Sequence, residues 1–159
     1  MTQPRWLDND EQRTWRAYLW GSRLLFDALD RQLQRDAGMP HAYYMILAML
    51  SEAHERTMPM SRLADLVRSS PSRLSHAVAR LEEAGWVHRG KHPTDRRTTL
   101  ARLTDDGFAA LAAAAPGHVA EVRRCLFDRL TADQVRVLGE AFTAVQEGLD
   151  PAGIGRVSG

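Results

Sequence analysis

The chain has 159 residues, of which 44% are hydrophobic and 26% are charged, a balance typical of a folded globular protein rather than a disordered one. No stretch approaches the roughly 18 consecutive apolar residues of a membrane-spanning helix, and the polar start from Met1 to Asp10 lacks the apolar core of a signal peptide. The single cysteine, Cys125, leaves no intrachain disulfide framework. We therefore expect a cytoplasmic protein with no contact with membranes.

The net charge of +1 is unevenly distributed along the chain. Residues 61–103 hold nine Lys/Arg against four Asp/Glu, a net charge of +5, whereas the segments before and after them are acidic. A basic centre between acidic flanks indicates that one face of the protein meets a polyanion.

Two helices are predicted before the basic segment. From Asp8 to Ala37 the apolar residues recur at three- and four-residue steps, which is typical of an amphipathic helix. Glu11 near its start and Gly38 at its end fit helix boundaries. The second predicted helix, over residues 41–53, is rich in Tyr, Met, Ile and Leu, so we expect it to be buried on more than one side.

A helix-turn-helix is predicted next. A short helix over 62–67, with Ser61 as its N-cap, precedes a turn at 68–70. A longer helix then runs from Pro71 to Ala84 and closes at Gly85, since proline suits a first helical position and glycine a left-handed C-terminal cap. This order of elements is the helix-turn-helix signature.

A β-hairpin follows directly. The residues from Trp86 to Arg89 and from Thr98 to Leu103 favour strands, and those from Gly90 to Asp95 favour a turn. The remainder is predicted to be helical, with Pro116 kinking or interrupting an alanine-rich helix capped by Thr104. The last helix, with a capping box at Thr131 and Gln134, repeats its apolar residues like a helix-packing seam. The predicted fold class is therefore mainly α with a small β-hairpin wing, a winged helix-turn-helix with long N- and C-terminal dimerisation helices.

The helix from Pro71 to Ala84 carries the candidate DNA-reading side chains. One apolar stripe must face the core, and the remaining face is small, hydrogen-bonding or cationic, with no acid before Glu82. Such a face offers donors to phosphates and to guanine acceptors in the major groove. The alternative, a solvated helix face, usually mixes charges of both signs. The predicted DNA contacts here and in the preceding turn are Ser69, Ser70, Ser72, Arg73, Ser75, His76 and Arg80.

The hairpin adds a second basic surface beside that helix. A basic β-turn can follow the DNA backbone or place an arginine in the adjacent minor groove. The alternative is a charged hairpin that protects a sheet edge. The predicted contacts are Arg89, Lys91, Asp95, Arg96, Arg97 and Thr98, with Asp95 orienting the guanidinium of Arg97.

These segments resemble the MarR family of transcriptional regulators. The most specific parts are Leu81-Glu82-x-x-Gly85, Asp95-Arg96-Arg97 and Leu103-Thr104-Asp105-Asp106-Gly107, and the resemblance is strongest over residues 40–112. It implies a homodimer that binds a pseudo-palindromic operator and a repressor that a small, often aromatic, effector releases. It also implies a dimerisation helix over 1–40, a DNA-binding lobe over 41–112 and C-terminal dimerisation helices over 113–150. Residues 151–159 are expected to form a disordered tail.

Four aromatic residues on the first two helices are candidates for lining the effector site: Trp15, Tyr18, Tyr43 and Tyr44. The alternative is that they belong only to the core, as aromatics at helical spacing usually do. For Cys125 we expect an inert packing role rather than oxidant sensing.

No metal, cofactor or catalytic site is predicted. The histidines are scattered without a cysteine cluster, whereas a metal site needs three or four converging ligands. There is also no phosphate-binding glycine-rich loop or nucleophile elbow, so we do not expect an enzyme. The alternative function is a winged-helix adaptor that binds proteins and not DNA, which would expose apolar residues on the helix that here exposes Ser, Arg and His.

Overall fold

The computed structural model describes residues 4–150 and 153. Within them lie six α-helices and one three-stranded antiparallel sheet, with short 3-10 turns at His54–Arg56 and Phe127–Arg129. In chain order the elements are α1 (Asn9–Ala37), α2 (His41–Glu52), β1 (Thr57–Pro59), α3 (Met60–Leu66), α4 (Pro71–Glu83), β2 (Val87–Lys91), β3 (Thr99–Leu103), α5 (Asp105–Cys125) and α6 (Ala132–Leu149). This confirms the predicted fold class, and most of the predicted tail lies outside the described residues.

The ends of the long helices are set by the predicted capping residues. The Asp8 carboxylate accepts the backbone N–H of Glu11, and the Glu11 carboxylate accepts that of Asp8, so α1 begins with a capping box. Gly38 ends α1 in the left-handed conformation, at φ 64°. Thr131 and Gln134 form the capping box of α6. These boundaries are confirmed.

The sheet has one more strand than predicted. The hairpin of β2 and β3 is present, with Val87 opposite Leu103 and Lys91 opposite Thr99. On its other side β3 pairs with β1, which places Thr57 opposite Arg102. Three residues ending in a proline are too short to show the alternation that identifies a strand.

The predicted start of the short helix is also wrong, because it depends on β1, which was not predicted. The chain enters α3 directly from β1, so the helix begins at Met60 and Pro59 occupies its N-cap position without a side-chain cap. Ser61, predicted as the cap, lies inside the helix.

The core lies where α2, α3, α4 and the sheet meet the C-terminal part of α1 and the first half of α5. Its members are apolar and almost fully buried, and they fix α4 and the hairpin relative to each other. They include Leu33, Leu47, Leu50, Leu63, Leu74, Val78, Leu81, Val87, Ala101 and Leu103.

Of the two outcomes predicted for Pro116, a kink or an interruption, the interruption is wrong, because α5 runs without a break through it. Ala114 and His118, on either side of the proline, are both buried. Packing therefore holds both halves of the helix, whereas proline in an unsupported helix costs about 3 kcal/mol.

None of the helices in the described part of the chain is long and apolar enough to cross a membrane.

Candidate nucleic-acid interface

The N-terminus of α4 is fixed by Ser70 and Pro71. The Ser70 hydroxyl accepts the backbone N–H of Arg73 at 3.3 Å, and Pro71 occupies the first helical turn. On the inner side Leu74, Val78 and Leu81 are buried in the core. This packing fixes which side of α4 faces outward.

The outward side of α4 carries the predicted contacts, and we call it the recognition face. Arg80 lies 2.9 Å from Glu83, yet both side chains are about two-thirds exposed. Exposed ion pairs of this kind contribute little, so Arg80 is free to exchange Glu83 for another acceptor. The recognition face consists of Ser72, Arg73, Ser75, His76 and Arg80, all exposed.

The turn between β2 and β3 is built around Asp95. Its carboxylate accepts the hydroxyl of Thr98 at 2.7 Å and the backbone N–H of Arg97 at 3.1 Å. These hydrogen bonds, that from Thr98 first, hold the pKa of Asp95 below its ordinary value. Asp95 thus orders the backbone of the turn rather than the Arg97 guanidinium, contrary to the predicted role. Arg96 and Arg97 are exposed beside it.

His92 supports the same turn, although no role was predicted for it. Its Nδ1 accepts the backbone N–H groups of Thr94 at 3.3 Å and Asp95 at 3.2 Å. The imidazole thus contributes two hydrogen bonds to the backbone of the turn. The spacing of His92 from Asp95 offered no signal that distinguishes this use from an ordinary surface histidine.

Arg89 differs from the other predicted contacts because it is already engaged within the protein. Its backbone N–H and its Nε each donate at 2.7 Å to the carboxylate of Glu82. Burial opposes ionisation of Glu82, but the hydrogen bonds and charge of Arg89 outweigh it and lower the pKa of Glu82. Lys91, further along β2, is exposed and donates to the Thr99 hydroxyl at 3.2 Å.

The four aromatic residues predicted to line an effector site fall into separate environments. Trp15 and Tyr18 are exposed on α1, with ring centroids 5.8 Å apart, and Tyr18 lies 5.5 Å from Phe142 of α6. Tyr44 is buried, with its ring 4.3 Å from that of His118. Tyr43 is partly buried against the core.

Two histidines, His41 and His118, lie near Tyr44. The His118 ring lies 5.6 Å from His41, and its buried Nδ1 has no hydrogen-bond partner, as is also true of the buried Oε1 of Gln32. Burial, reinforced by the charge of His41, lowers the pKa of His118, and burial likewise lowers the pKa of His41. Both imidazoles therefore favour the neutral form.

Among the described residues, no three His, Cys, Asp or Glu side chains converge as they would to hold a metal ion. Cys125, at the end of α5, is partly buried, and its Sγ lies 3.2 Å from Nη2 of Arg124. A hydrogen bond from the same arginine lowers the pKa of Glu121 to about 2.

Comparison with known proteins identifies the family. Residues 37–98 match the model of the MarR family. Sco3205, a MarR family transcriptional regulator from Streptomyces coelicolor solved in complex with DNA, is 53% identical, with 94% of this chain and 93% of that chain covered and a TM-score of 0.89. The chain belongs to the MarR family of transcriptional regulators.

Two other relatives are also transcriptional regulators. AbsC, a MarR family regulator from Streptomyces coelicolor, is 40% identical over 92% of this chain and 98% of its own, with a TM-score of 0.85. The regulator MhqR of Bacillus subtilis is 25% identical over 77% of this chain and 82% of its own. The family consists of transcriptional regulators, which are not enzymes.

Proposed function

We propose that this MarR chain binds a pseudo-palindromic DNA operator as a homodimer and represses transcription until a small effector releases it. The observation that carries the proposal is the recognition face, which exposes serines, arginines and a histidine beside a basic turn. A 53% identical relative solved in complex with DNA supports the same use. An adaptor for proteins would instead need exposed apolar residues on α4.

In this proposal α4 enters the major groove, and the turn between β2 and β3 meets the neighbouring backbone or minor groove. Arg80 and Arg73 supply charge and the capacity to grip guanine or phosphate. Arg96 and Arg97 extend the contact beyond the groove that α4 occupies. Sequence preference therefore resides mainly in α4, and affinity is shared with the turn.

The dimer would form through α1 and α6. Within one chain, no residue of α6 is buried. Its apolar residues Phe142, Val145 and Leu149 are 40%, 50% and 81% exposed. On α1, Trp15 and Trp20 are likewise half exposed or more. Exposed apolar side chains gathered on two long helices mark an interaction site, and a second copy of the chain would cover them.

The experiment that tests DNA binding is selection from a pool of random duplexes, followed by sequencing of the retained molecules. We expect a palindrome whose half-sites are about 10 base pairs apart, as in two-fold helix-turn-helix dimers. Binding should weaken steeply with salt. The logarithm of the association constant should fall linearly with the logarithm of the salt concentration, with a slope of about −0.9 per phosphate contacted. No retention even at low salt would contradict the proposal and favour the adaptor function.

The effector site is proposed at the aromatic residues of α1 and α2. The exposed rings of Trp15 and Tyr18 are the part of this set that an aromatic ligand can stack against, since Tyr44 is buried. A small aromatic acid, used as a probe, is expected to quench tryptophan fluorescence and to weaken operator binding over the same concentration range. Quenching with unchanged affinity for DNA would contradict an effector role for this site.

A further inference from the structure

Glu82 binds Arg89 through both of its carboxylate oxygens. One oxygen accepts the backbone N–H of Arg89 and the other its Nε–H, each at 2.7 Å. Glu82 lies in the last turn of α4 and Arg89 lies in β2, so these two bonds join α4 to the first strand of the hairpin. The side chains are only 27% and 32% exposed, which shields the pair from solvent more than an ordinary surface ion pair.

This pairing determines which donors of Arg89 remain free. A guanidinium carries five N–H donors in one rigid plane, and with Nε committed to Glu82 the edge formed by Nη1 and Nη2 is left. Nη1 lies 3.5 Å from the hydroxyl of Ser75. Ser75 is seven residues before Glu82, hence two turns away on the same side of α4. The free edge of Arg89 therefore lies at the border of the recognition face.

We propose that Glu82 is a positioning residue for DNA binding, which holds the Arg89 guanidinium beside Ser75 so that Nη1 and Nη2 donate together to one operator phosphate. The contacted phosphate would lie on the DNA backbone, between the major groove that α4 occupies and the part of the DNA that the hairpin reaches. Paired donation from a guanidinium is the geometry that phosphate recognition favours. This inference rests on the proposed DNA-binding function, and Glu82 itself does not touch DNA.

Simple charge counting makes the opposite prediction. Glu82 places a negative charge beside a polyanion, so its neutralisation alone should tighten binding. If Glu82 acts by positioning Arg89, neutralisation should weaken binding instead. Glu83 is the matched control, since it is the next residue and pairs with Arg80 on the exposed side of α4.

The experiment measures dissociation constants of Glu82→Gln, Glu83→Gln and the natural protein for the selected operator, by fluorescence anisotropy over a range of salt concentrations. We expect Glu82→Gln to bind about three- to tenfold more weakly, a loss in the range of one weakened charge-assisted hydrogen bond. Its log–log salt slope should fall by up to about 0.9, the share of one phosphate. Glu83→Gln should bind as tightly as the natural protein or more tightly.

A double-mutant cycle with Arg89→Ala separates positioning from a general structural effect. If Glu82 acts through Arg89, adding Glu82→Gln to Arg89→Ala causes no further loss. An equal loss in both backgrounds would overturn the inference, as would Glu82→Gln binding at least as tightly as the natural protein. Arg89→Lys keeps the charge but cannot bridge Glu82 and a phosphate in one plane, so it should weaken binding even if Glu82→Gln fails to fold. Unchanged affinity of Arg89→Lys would also overturn it.

Failure of the proposed function gives a different result. If the natural protein retains no operator, DNA binding itself is contradicted. If the natural protein binds its operator and the Glu82 and Arg89 variants match it, only the positioning role is contradicted.

Discussion

The hydroxyl of Thr104 donates a hydrogen bond to the carbonyl oxygen of Gly85 at 2.7 Å and accepts the backbone N–H of Gly107 at 3.0 Å. One side chain therefore caps α5 and also holds the turn that ends α4. The backbone N–H of Thr104 adds a bond to the carbonyl of Trp86 at 3.0 Å. Because β2 begins at Val87, the end of α4 and the base of the hairpin are fixed to α5 at this junction.

Replacement of Gly107 by alanine should break this junction. A Cβ at that position would overlap the carbonyl oxygen of Trp86, a backbone atom that cannot move aside without shifting the turn. We expect Gly107→Ala to lower the free energy of unfolding by about 1–3 kcal/mol, the cost of overpacking a well-packed site. Urea denaturation followed by circular dichroism measures it.

Gly139→Ala is the control, because the residue is inside α6 and, among the described residues, nothing beyond its neighbours and the backbone of its own helix lies within 4 Å of a Cβ there. Alanine at an unobstructed helical position should raise stability by about 0.5–1 kcal/mol. Equal effects of the two substitutions would contradict the proposed junction.

Arg80 is expected to carry part of the sequence preference. Arg80→Ala should cost about 1–3 kcal/mol of operator binding and relax the preference at one base position, if the side chain grips a guanine. Repeating the duplex selection with the variant measures both effects. Arg13→Ala removes the same charge from an exposed ion pair on α1 and should leave the selected sequence unchanged. If Arg80→Ala selects the same sequences as the natural protein, base reading belongs to other residues of α4.

Arg97 tests the hairpin turn. Since Arg97 is exposed while Asp95 holds its backbone, Arg97→Ala should remove a contact without unfolding the turn. Affinity should then fall for specific and random duplexes alike, and the salt slope should fall by about 1. An unchanged dissociation constant would remove this arginine from the DNA-binding mechanism.

The sequence predicted α4 well because its signals are local. Ser70 caps the helix with its hydroxyl, Pro71 and Gly85 mark its ends through their backbone preferences, and the stripe of Leu74, Val78 and Leu81 faces the core as its period requires. The same holds for the capping boxes at the starts of α1 and α6.

The features that were missed depend on contacts between distant residues. β1 is a strand only because β3 lies beside it, and α5 passes through Pro116 because buried residues hold it on both sides. The partner of Arg89 could not be chosen from sequence either, since Glu82 and Glu83 are adjacent and only the packing of β2 selects between them.

The proposed dimer can be tested at Val145, a half-exposed residue of α6. Val145→Asp would bury a charge in the interface, a cost that an unpaired carboxylate cannot recover. We expect sedimentation to show monomers at concentrations where the natural protein is dimeric, and operator binding to weaken accordingly. Val145→Thr, with nearly the same shape and no charge, should remain dimeric. Dimers of unchanged stability in Val145→Asp would place the interface elsewhere.

The buried histidines predict that stability depends on pH. In the folded chain the pKa of His118 and that of His41 lie below the ordinary value of 6.5, and burial is the largest cause for both. As pH falls below about 6.5, the unfolded chain therefore binds more protons than the folded chain, and the folded state loses stability. We expect the melting temperature to fall as the pH is lowered from about 7.5 to about 5.5.

His118→Phe keeps a ring against Tyr44 but cannot titrate, so its melting temperature should fall less over this range. His54→Asn, which changes an exposed histidine, should behave like the natural protein. An equal fall in His118→Phe and the natural protein would show that acid acts on other groups.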